Sequence, residues 1–262
     1  MVKRFFSKAY IGLILAFLYM PILVLIVFSF NKSRTMSKWG GFTLSWYSEL
    51  FNDPMILEAL WITISVAVLS AIIATIIGTL AAIGIHNMRK GTRRIVTSIS
   101  YIPKVTPDIV TGISLMLLFI FLKIPRGYFT LLLSHITFNI PYVIFSVMPK
   151  LKQMPASTYE AALDLGATPG YAMRKVLLPQ IMPGIITGLL FAFTLSLDDF
   201  VVSLFTRQDI NTLSIIIYSM ARKGISPKIN ALSALMFVSI MALMITINFR
   251  TKRNGKKEGP KL

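Results

Sequence analysis

Six long stretches almost free of formal charge divide this chain, at about 9–30, 59–85, 98–122, 127–148, 181–205 and 229–249, the third and fifth interrupted by acids and prolines. Each has the roughly 20 apolar residues that a helix needs to cross a hydrocarbon core of about 30 Å. The pattern predicts an all-α integral membrane protein with six transmembrane helices. Lys3, Arg4 and Lys8 precede the first stretch as they would a secretory signal, but Phe28-Ser29-Phe30-Asn31 after Val27 offers no A-x-A-like cleavage site, so a retained anchor is expected. Between the first two spans, Gly40-Gly41-Phe42-Thr43-Leu44-Ser45-Trp46-Tyr47 opens a short segment ending at Phe51, and its Trp and Tyr suit a helix at the membrane interface.

Composition agrees with a bilayer protein: 55% of the residues are hydrophobic and 14% charged, with a mean hydropathy of +0.72. Charge then orients the spans. Twenty-seven Lys and Arg stand against ten Asp and Glu, a net charge of +17. The basic residues cluster at Lys3, Arg4 and Lys8, at Arg89, Lys90, Arg93 and Arg94, at Lys150, Lys152, Arg174 and Lys175, and over 250–261. Six spans put both termini on one side, and the positive-inside rule makes that side cytoplasmic. The excess of positive charge is thus read as a topological signal, with no nucleic-acid partner. No cysteine is present, which excludes disulfides and thiol chemistry, and only His86 and His135 carry imidazoles. No metal or catalytic set is expected.

Between the fourth and fifth spans the stretch 149–180 has architecture of its own. Residues 156–165 read as a short helix, Gly166 is placed to end it in the left-handed region, and Thr168-Pro169 supplies an N-cap and first-turn proline for a second helix. That second helix is expected to run to Leu178, to be stopped by Pro179, and to show Tyr171, Met173, Val176 and Leu177 among basic residues. Glu160-Ala161-Ala162, Gly166, Val176, Leu178 and Pro179 resemble the EAA loop of ABC importer permeases, E-A-A-x3-G-x9-I-x-L-P, with Val in place of Ile. The resemblance implies a type I ABC importer permease fold in which 156–180 is a cytoplasmic coupling loop docking on a separate ATPase subunit. Glu160 would be the charged contact, Ala161 and Ala162 would allow close packing, and Gly166 would set the bend. The chain has no G-x-x-x-x-G-K-[ST] phosphate cradle, so it is expected to be a transport subunit with no cofactor of its own and no enzyme activity, with ATP bound by the partner ATPase.

An intramembrane carboxylate costs about 2.5–3.5 kcal/mol on insertion scales, so Asp108, Asp198 and Asp199 are candidates for a substrate path. A straight third span starting near Ser98 would carry Asp108 about 15 Å deep. The alternatives for Asp108 are capping the amides freed where Pro103 and Pro107 break the helix, or pairing with Lys104. Adjacent Asp198 and Asp199 would point about 100° apart on a helix, so one is expected to face the path and the other a neighbouring helix. His135, among Ser134, Thr137 and Asn139, reads first as interhelical packing. Tyr218, with Ser219 and Met220, is placed at the outer mouth, with packing as its alternative.

Three acids along a path suit a cationic solute, and a polyamine with several ammonium groups spans such sites, whereas anion transport would require basic residues facing the lumen. Thr43-Leu44-Ser45-Trp46-Tyr47, Pro107-Asp108-Ile109-Val110, Ser134-His135-Ile136-Thr137-Phe138, the run from Thr194 to Ser203 and Ile217-Tyr218-Ser219-Met220 together resemble the C-type permease subunit of spermidine/putrescine ABC importers over nearly the whole chain. The resemblance implies a bacterial cytoplasmic (inner) membrane subunit. Its expected partners are a second, related permease chain, two ATPase subunits and an extracytoplasmic polyamine-binding protein. Permeases for iron, thiamine or an oxyanion are the alternatives within this class; a stand-alone secondary carrier would leave the EAA loop unexplained.

Overall fold

The structure is a computed structural model; it describes residues 2–34, 38–224 and 227–255. Among these, all regular structure is helical apart from a single bridge between Asn31 and Phe42. The first helices are α1 (Val2–Phe28), α2 (Ser45–Phe51), α3 (Pro54–Asn87), α4 (Lys90–Val105), α5 (Asp108–Phe121) and α6 (Tyr128–Gln153). They are followed by α7 (Ala156–Asp164), α8 (Pro169–Ala172), a π turn (Met173–Leu177), α9 (Leu178–Asp198), α10 (Val201–Thr206), α11 (Leu213–Lys223) and α12 (Pro227–Gly255). The chain forms two compact units, residues 1–58 with 216–262, and residues 59–215.

In the first unit α12 packs on α1 and α2. Asn31 builds the turn between α1 and α2: its Oδ1 accepts from the backbone N–H of Gly40 (2.8 Å) and Ser33 (3.2 Å), its Nδ2 donates to the Lys38 carbonyl, and its own carbonyl accepts from Trp46 Nε1 (2.8 Å). The Tyr47 hydroxyl lies 2.7 Å from Ser29 Oγ. The polar tips of both aromatic residues are therefore bonded inside the unit, which fixes α2 to the end of α1. Asp53, just before α3, receives a 2.6 Å hydrogen bond from Lys228 Nζ, and that bond with the ammonium charge holds its carboxyl below the ordinary carboxylate range.

The second unit rests on close packing of α3, α6 and α9. Small residues recur every fourth position on two of them, Ser70, Ala74, Gly78 and Ala82 on α3 and Gly184, Gly188, Ala192 and Ser196 on α9, and all of these are buried. In lipid, where apolar surface alone does not drive helices together, such stripes let backbones approach and gain dispersion contact. A Cβ on Gly78 would lie 2.7 Å from Val143 Cβ, and one on Gly188 would lie 3.2 Å from Val143 Cα. Gly78→Ala is expected to destabilise the protein by about 1–3 kcal/mol through overpacking. The check is a lowered thermal midpoint in detergent, while Gly84→Ala, whose Cβ meets nothing within 4 Å, leaves the midpoint in place.

Among the described residues, four helical stretches are long and apolar enough to cross a membrane: Tyr10–Phe28, Pro54–Asn87, Tyr128–Gln153 and Pro169–Asp198. The expected straight span 98–122 is instead a pair, α4 and α5, bent by 101°. Pro107 causes the break: it drives Thr106 to φ −74°, ψ 133° and is itself extended at ψ 138°, so the helix cannot pass through. The expected span 181–205 likewise breaks at Asp199, which is extended at φ −61°, ψ 124°. Of the expected span 229–249, the apolar stretch among the described residues is Pro227–Ala242, and the basic segment beyond Gly255 lies outside the described residues.

The second hairpin helix does not stop at Pro179. It passes through the π turn, where the Leu178 N–H bonds the Met173 carbonyl five residues back, and continues as α9. Pro179 falls at the start of a helical segment, where a missing N–H is tolerated, and the widened turn makes room for its ring.

Candidate functional site

The break between α9 and α10 organises a cavity of about 310 Å3 lined by Asp108, Asp198, Asp199, Phe138, Tyr142 and Phe200 among others. Asp198 is the last residue of α9 and is exposed; Asp199 begins the break and its side chain is 11% exposed. The two are therefore not neighbours on one helix, and the expected 100° separation does not apply. Asp199 is consumed by local structure. Its Oδ2 accepts from the Ser203 N–H and the Ser203 hydroxyl, both at 2.7 Å, and its Oδ1 accepts from the Val202 N–H at 3.3 Å. These are the orphan donors of the first turn of α10, for which a carboxylate is the best acceptor. Ser214 Oγ donates to the Asp199 carbonyl at 2.6 Å.

His135, 1% exposed on α6, completes the anchor. Its Nε2 lies 3.0 Å from Ser203 Oγ and 3.6 Å from Asp199 Oδ2. Since the Ser203 proton is directed to Asp199, the hydrogen-bond network assigns the proton of the imidazole to Nε2, and Nδ1 is left without a partner. Deeper in the bundle Asn139 Nδ2 donates to Ser196 Oγ at 2.8 Å, and Ser196 Oγ lies 3.0 Å from Ser70 Oγ, so α3, α6 and α9 share one buried polar contact.

Asp108 opens α5 immediately after the bend and is exposed. The depth of about 15 Å calculated for a straight span does not hold, because α4 and α5 are not collinear. The pairing with Lys104 is not made either: among the described residues the side-chain contacts of this kind are Asp199 with the His135 imidazole and Asp53 with the Lys228 ammonium. Lys104 Nζ lies instead over the Tyr142 ring, 5.8 Å from its centroid, and over the Phe145 ring at 5.4 Å, while Tyr101 stacks on Phe145 at 3.7 Å. Tyr218 lies on α11 among the residues of the other unit and is 46% exposed.

Phe138, Tyr142 and Phe200 were not singled out from the sequence as cavity residues. Phe138 and Tyr142 are four apart on α6, a spacing that puts both on one face, and this was the available signal. An acidic cavity walled by aromatic rings attracts cations by charge and by ring quadrupole together.

The hairpin forms the second feature. Its α7 ends at Gly166, at φ +83°, with the Gly166 N–H bonded to the Leu163 carbonyl and the Ala167 N–H to the Ala162 carbonyl. Thr168 then caps α8 by accepting from the Tyr171 N–H. Glu160, Ala161, Gly166 and Pro179 are exposed, Ala162 and Leu178 half-buried, and Leu165 stands 89% exposed. Ala162, Leu165, Gly166, Thr168 and Tyr171 line a shallow depression. Leu177, expected at the surface, is the last residue of the π turn and is buried at 8% in a cluster with Leu151, Val147 and Ile181. Tyr159 and Met173 pack on the same cluster, so the hairpin is joined to α6 and α9 through one continuous apolar contact.

The permease protein PotC of the spermidine/putrescine transport system of Shigella flexneri is 40% identical over 260 residues, covering 97% of this chain and 98% of that protein. The putrescine transport permease PotI of Escherichia coli K12 is 39% identical over 234 residues, 86% of this chain and 83% of its own length. A bacterial ABC transporter involved in the import of the acidic polysaccharide alginate contains a chain with the same fold, with a TM-score of 0.74 at 20% identity, 96% of this chain and 97% of that chain being covered. It has also been crystallised with an alginate pentasaccharide-bound periplasmic protein. Residues 74–253 match the family described as the binding-protein-dependent transport system inner membrane component. The all-helical architecture, the hairpin and nearly full-length similarity to curated permeases agree with that match, and this chain belongs to the binding-protein-dependent transport system inner membrane component family.

Proposed function

We propose that this chain is one membrane-spanning subunit of an ATP-driven importer whose solute is a polyamine, spermidine or putrescine. The carrying observation is the cavity in which exposed Asp108 and Asp198 meet the rings of Phe138, Tyr142 and Phe200. A flexible alkylammonium chain entering it exchanges hydration for paired charge at its amines and for ring contact along its methylenes. The relatives named for spermidine and putrescine support the same solute class.

In this reading a related permease chain completes the membrane dimer, an extracytoplasmic binding protein delivers the polyamine, and two separate ATPase subunits dock on the hairpins from the cytoplasm. Both termini and residues 156–180 face the cytoplasm in this reading, which the basic clusters support. Glu160, Ala161, Ala162 and Gly166 make the ATPase contact. Leu178 and Pro179 carry the hairpin into α9. ATP-driven closure of the ATPases then moves the hairpins and opens the outer side, and hydrolysis resets it.

The test is reconstitution of the complete complex in proteoliposomes. ATP hydrolysis is expected to rise when polyamine-loaded binding protein is added, and not with iron, thiamine or an oxyanion. Stimulation by one of those solutes would reassign the cargo, and uptake by this chain without ATP or partners would remove the importer reading.

A further inference from the structure

The ammonium of Lys104 has the chemistry of the proposed cargo. Its side chain is a primary ammonium on a four-carbon stem, the same group that ends an alkyl polyamine. It lies 5.8 Å from the Tyr142 centroid and 5.4 Å from that of Phe145, within the roughly 6 Å over which a ring face attracts a cation. Tyr142 also lines the acidic cavity with Asp108 and Asp198. One ring thus belongs both to the cavity wall and to the seat of an intrinsic cation. Tyr101, stacked on Phe145 at 3.7 Å, fixes the second ring of that seat.

The position of Lys104 follows from the bend. It sits in the last turn of α4, three residues before Pro107, so the break that carries α5 away leaves its stem beside α6, where Tyr142 and Phe145 are one turn apart. No carboxylate comes within 4.0 Å of Nζ among the described residues. The charge lies over two rings rather than being neutralised by an acid.

We propose that Lys104 is a specificity-determining residue, a tethered ammonium that fills one cation seat on the aromatic wall and so sets how many charges a transported amine brings. This rests on the polyamine reading of the same cavity. With Lys104 in place, a diamine meets Asp108 and Asp198 with both of its charges. A triamine brings a third ammonium, which finds the ring seat taken and is repelled by its occupant. Both effects favour diamines, and both vanish when the lysine charge is removed.

The experiment measures uptake of a diamine, putrescine, and a triamine, spermidine, by the complete ATP-dependent complex in proteoliposomes. It compares wild type with Lys104→Met, Lys104→Gln and Lys104→Arg. The neutral variants are expected to raise the triamine-to-diamine ratio of kcat/KM by about fivefold to tenfold, the range of one cation–ring contact, and the arginine variant to keep the wild-type ratio. Phe145→Leu, which leaves the charge but removes one ring outside the cavity lining, shifts the ratio in the same direction by a smaller factor. It provides the reading if the neutral variants do not assemble. An unchanged ratio in the neutral variants, or in Phe145→Leu where those are not assembled, overturns the role of Lys104 while polyamine transport stands. Uptake of neither amine by wild type overturns the polyamine reading itself, and this inference with it.

Discussion

Asp198→Asn is expected to lower polyamine uptake by about tenfold to a hundredfold, the loss of one charge-assisted contact, while the complex still assembles. Asp198 is exposed at the end of α9 and makes no ion pair among the described residues, so the amide leaves the fold intact and removes only charge from the cavity. Asp199→Ala has a different expected result, loss of folded protein. Three donors, the N–H groups of Val202 and Ser203 and the Ser203 hydroxyl, lose their acceptor at once, and buried His135 loses the group that orients Ser203 toward it. Each unmet donor costs about 1–3 kcal/mol, so the sum approaches the whole stability of an ordinary domain. Uptake per assembled complex, together with the yield of monodisperse complex in detergent, separates the two. Unchanged uptake in Asp198→Asn removes that residue from the path, and normal yield in Asp199→Ala removes the anchoring role.

Gly166→Val is expected to abolish ATP-dependent uptake while membrane insertion persists. At φ +83° a left-handed conformation costs an L residue about 1–2 kcal/mol, and a β-branched side chain more. A Cβ there meets nothing within 4 Å, so the effect comes from backbone preference and not from crowding. The turn between α7 and α8 then relaxes to another geometry, and the exposed face carrying Glu160 and Leu165 is no longer presented to an ATPase. Gly166→Asn, whose side chain tolerates the left-handed region, is expected to retain most uptake. Pull-down of the ATPase by each variant reads the docking step directly; a valine variant that binds and transports normally would falsify the coupling role of this turn.

Helix class and the hairpin were legible in the sequence because each depends on local signals, gaps between charges and the caps Thr168 and Gly166; of the six spans expected, four are met by single helices of membrane-crossing length among the described residues, and a fifth by the bent pair. The breaks were legible only in part. Pro107 does interrupt the third stretch as expected while Pro103 stays inside α4, but only the extended conformation of Thr106 and Pro107 shows that the run becomes two helices at 101°. Pro179 misled in the opposite direction, since a π turn absorbs it. The stripe Gly184, Gly188, Ala192 and Ser196 was visible as a spacing of four yet not used, although it decides how closely α9 meets α6.

At the site, charge was readable and geometry was not. Asp108, Asp198 and Asp199 stand out in an apolar background and do line one cavity, together with rings that resemble ordinary packing residues in the sequence. The unlike surroundings of Asp198 and Asp199 depend on Ser203, four residues beyond the break, and on His135, which lies 68 residues before Ser203 along the chain. Neither relation has a local signature. Lys104 looked like a partner for Asp108 because they are four apart, but that rule holds only within an unbroken helix.

From Pro169 to Asp198 the helix is unbroken for 30 residues, about 45 Å of rod with the hairpin at one end and the acidic cavity at the other. Such a rod works by leverage: tilting its foot by about 5° sweeps its tip through roughly 4 Å. On the polyamine reading proposed above, a carboxylate carried at the tip would thereby be swung out of salt-bridge range of a bound amine.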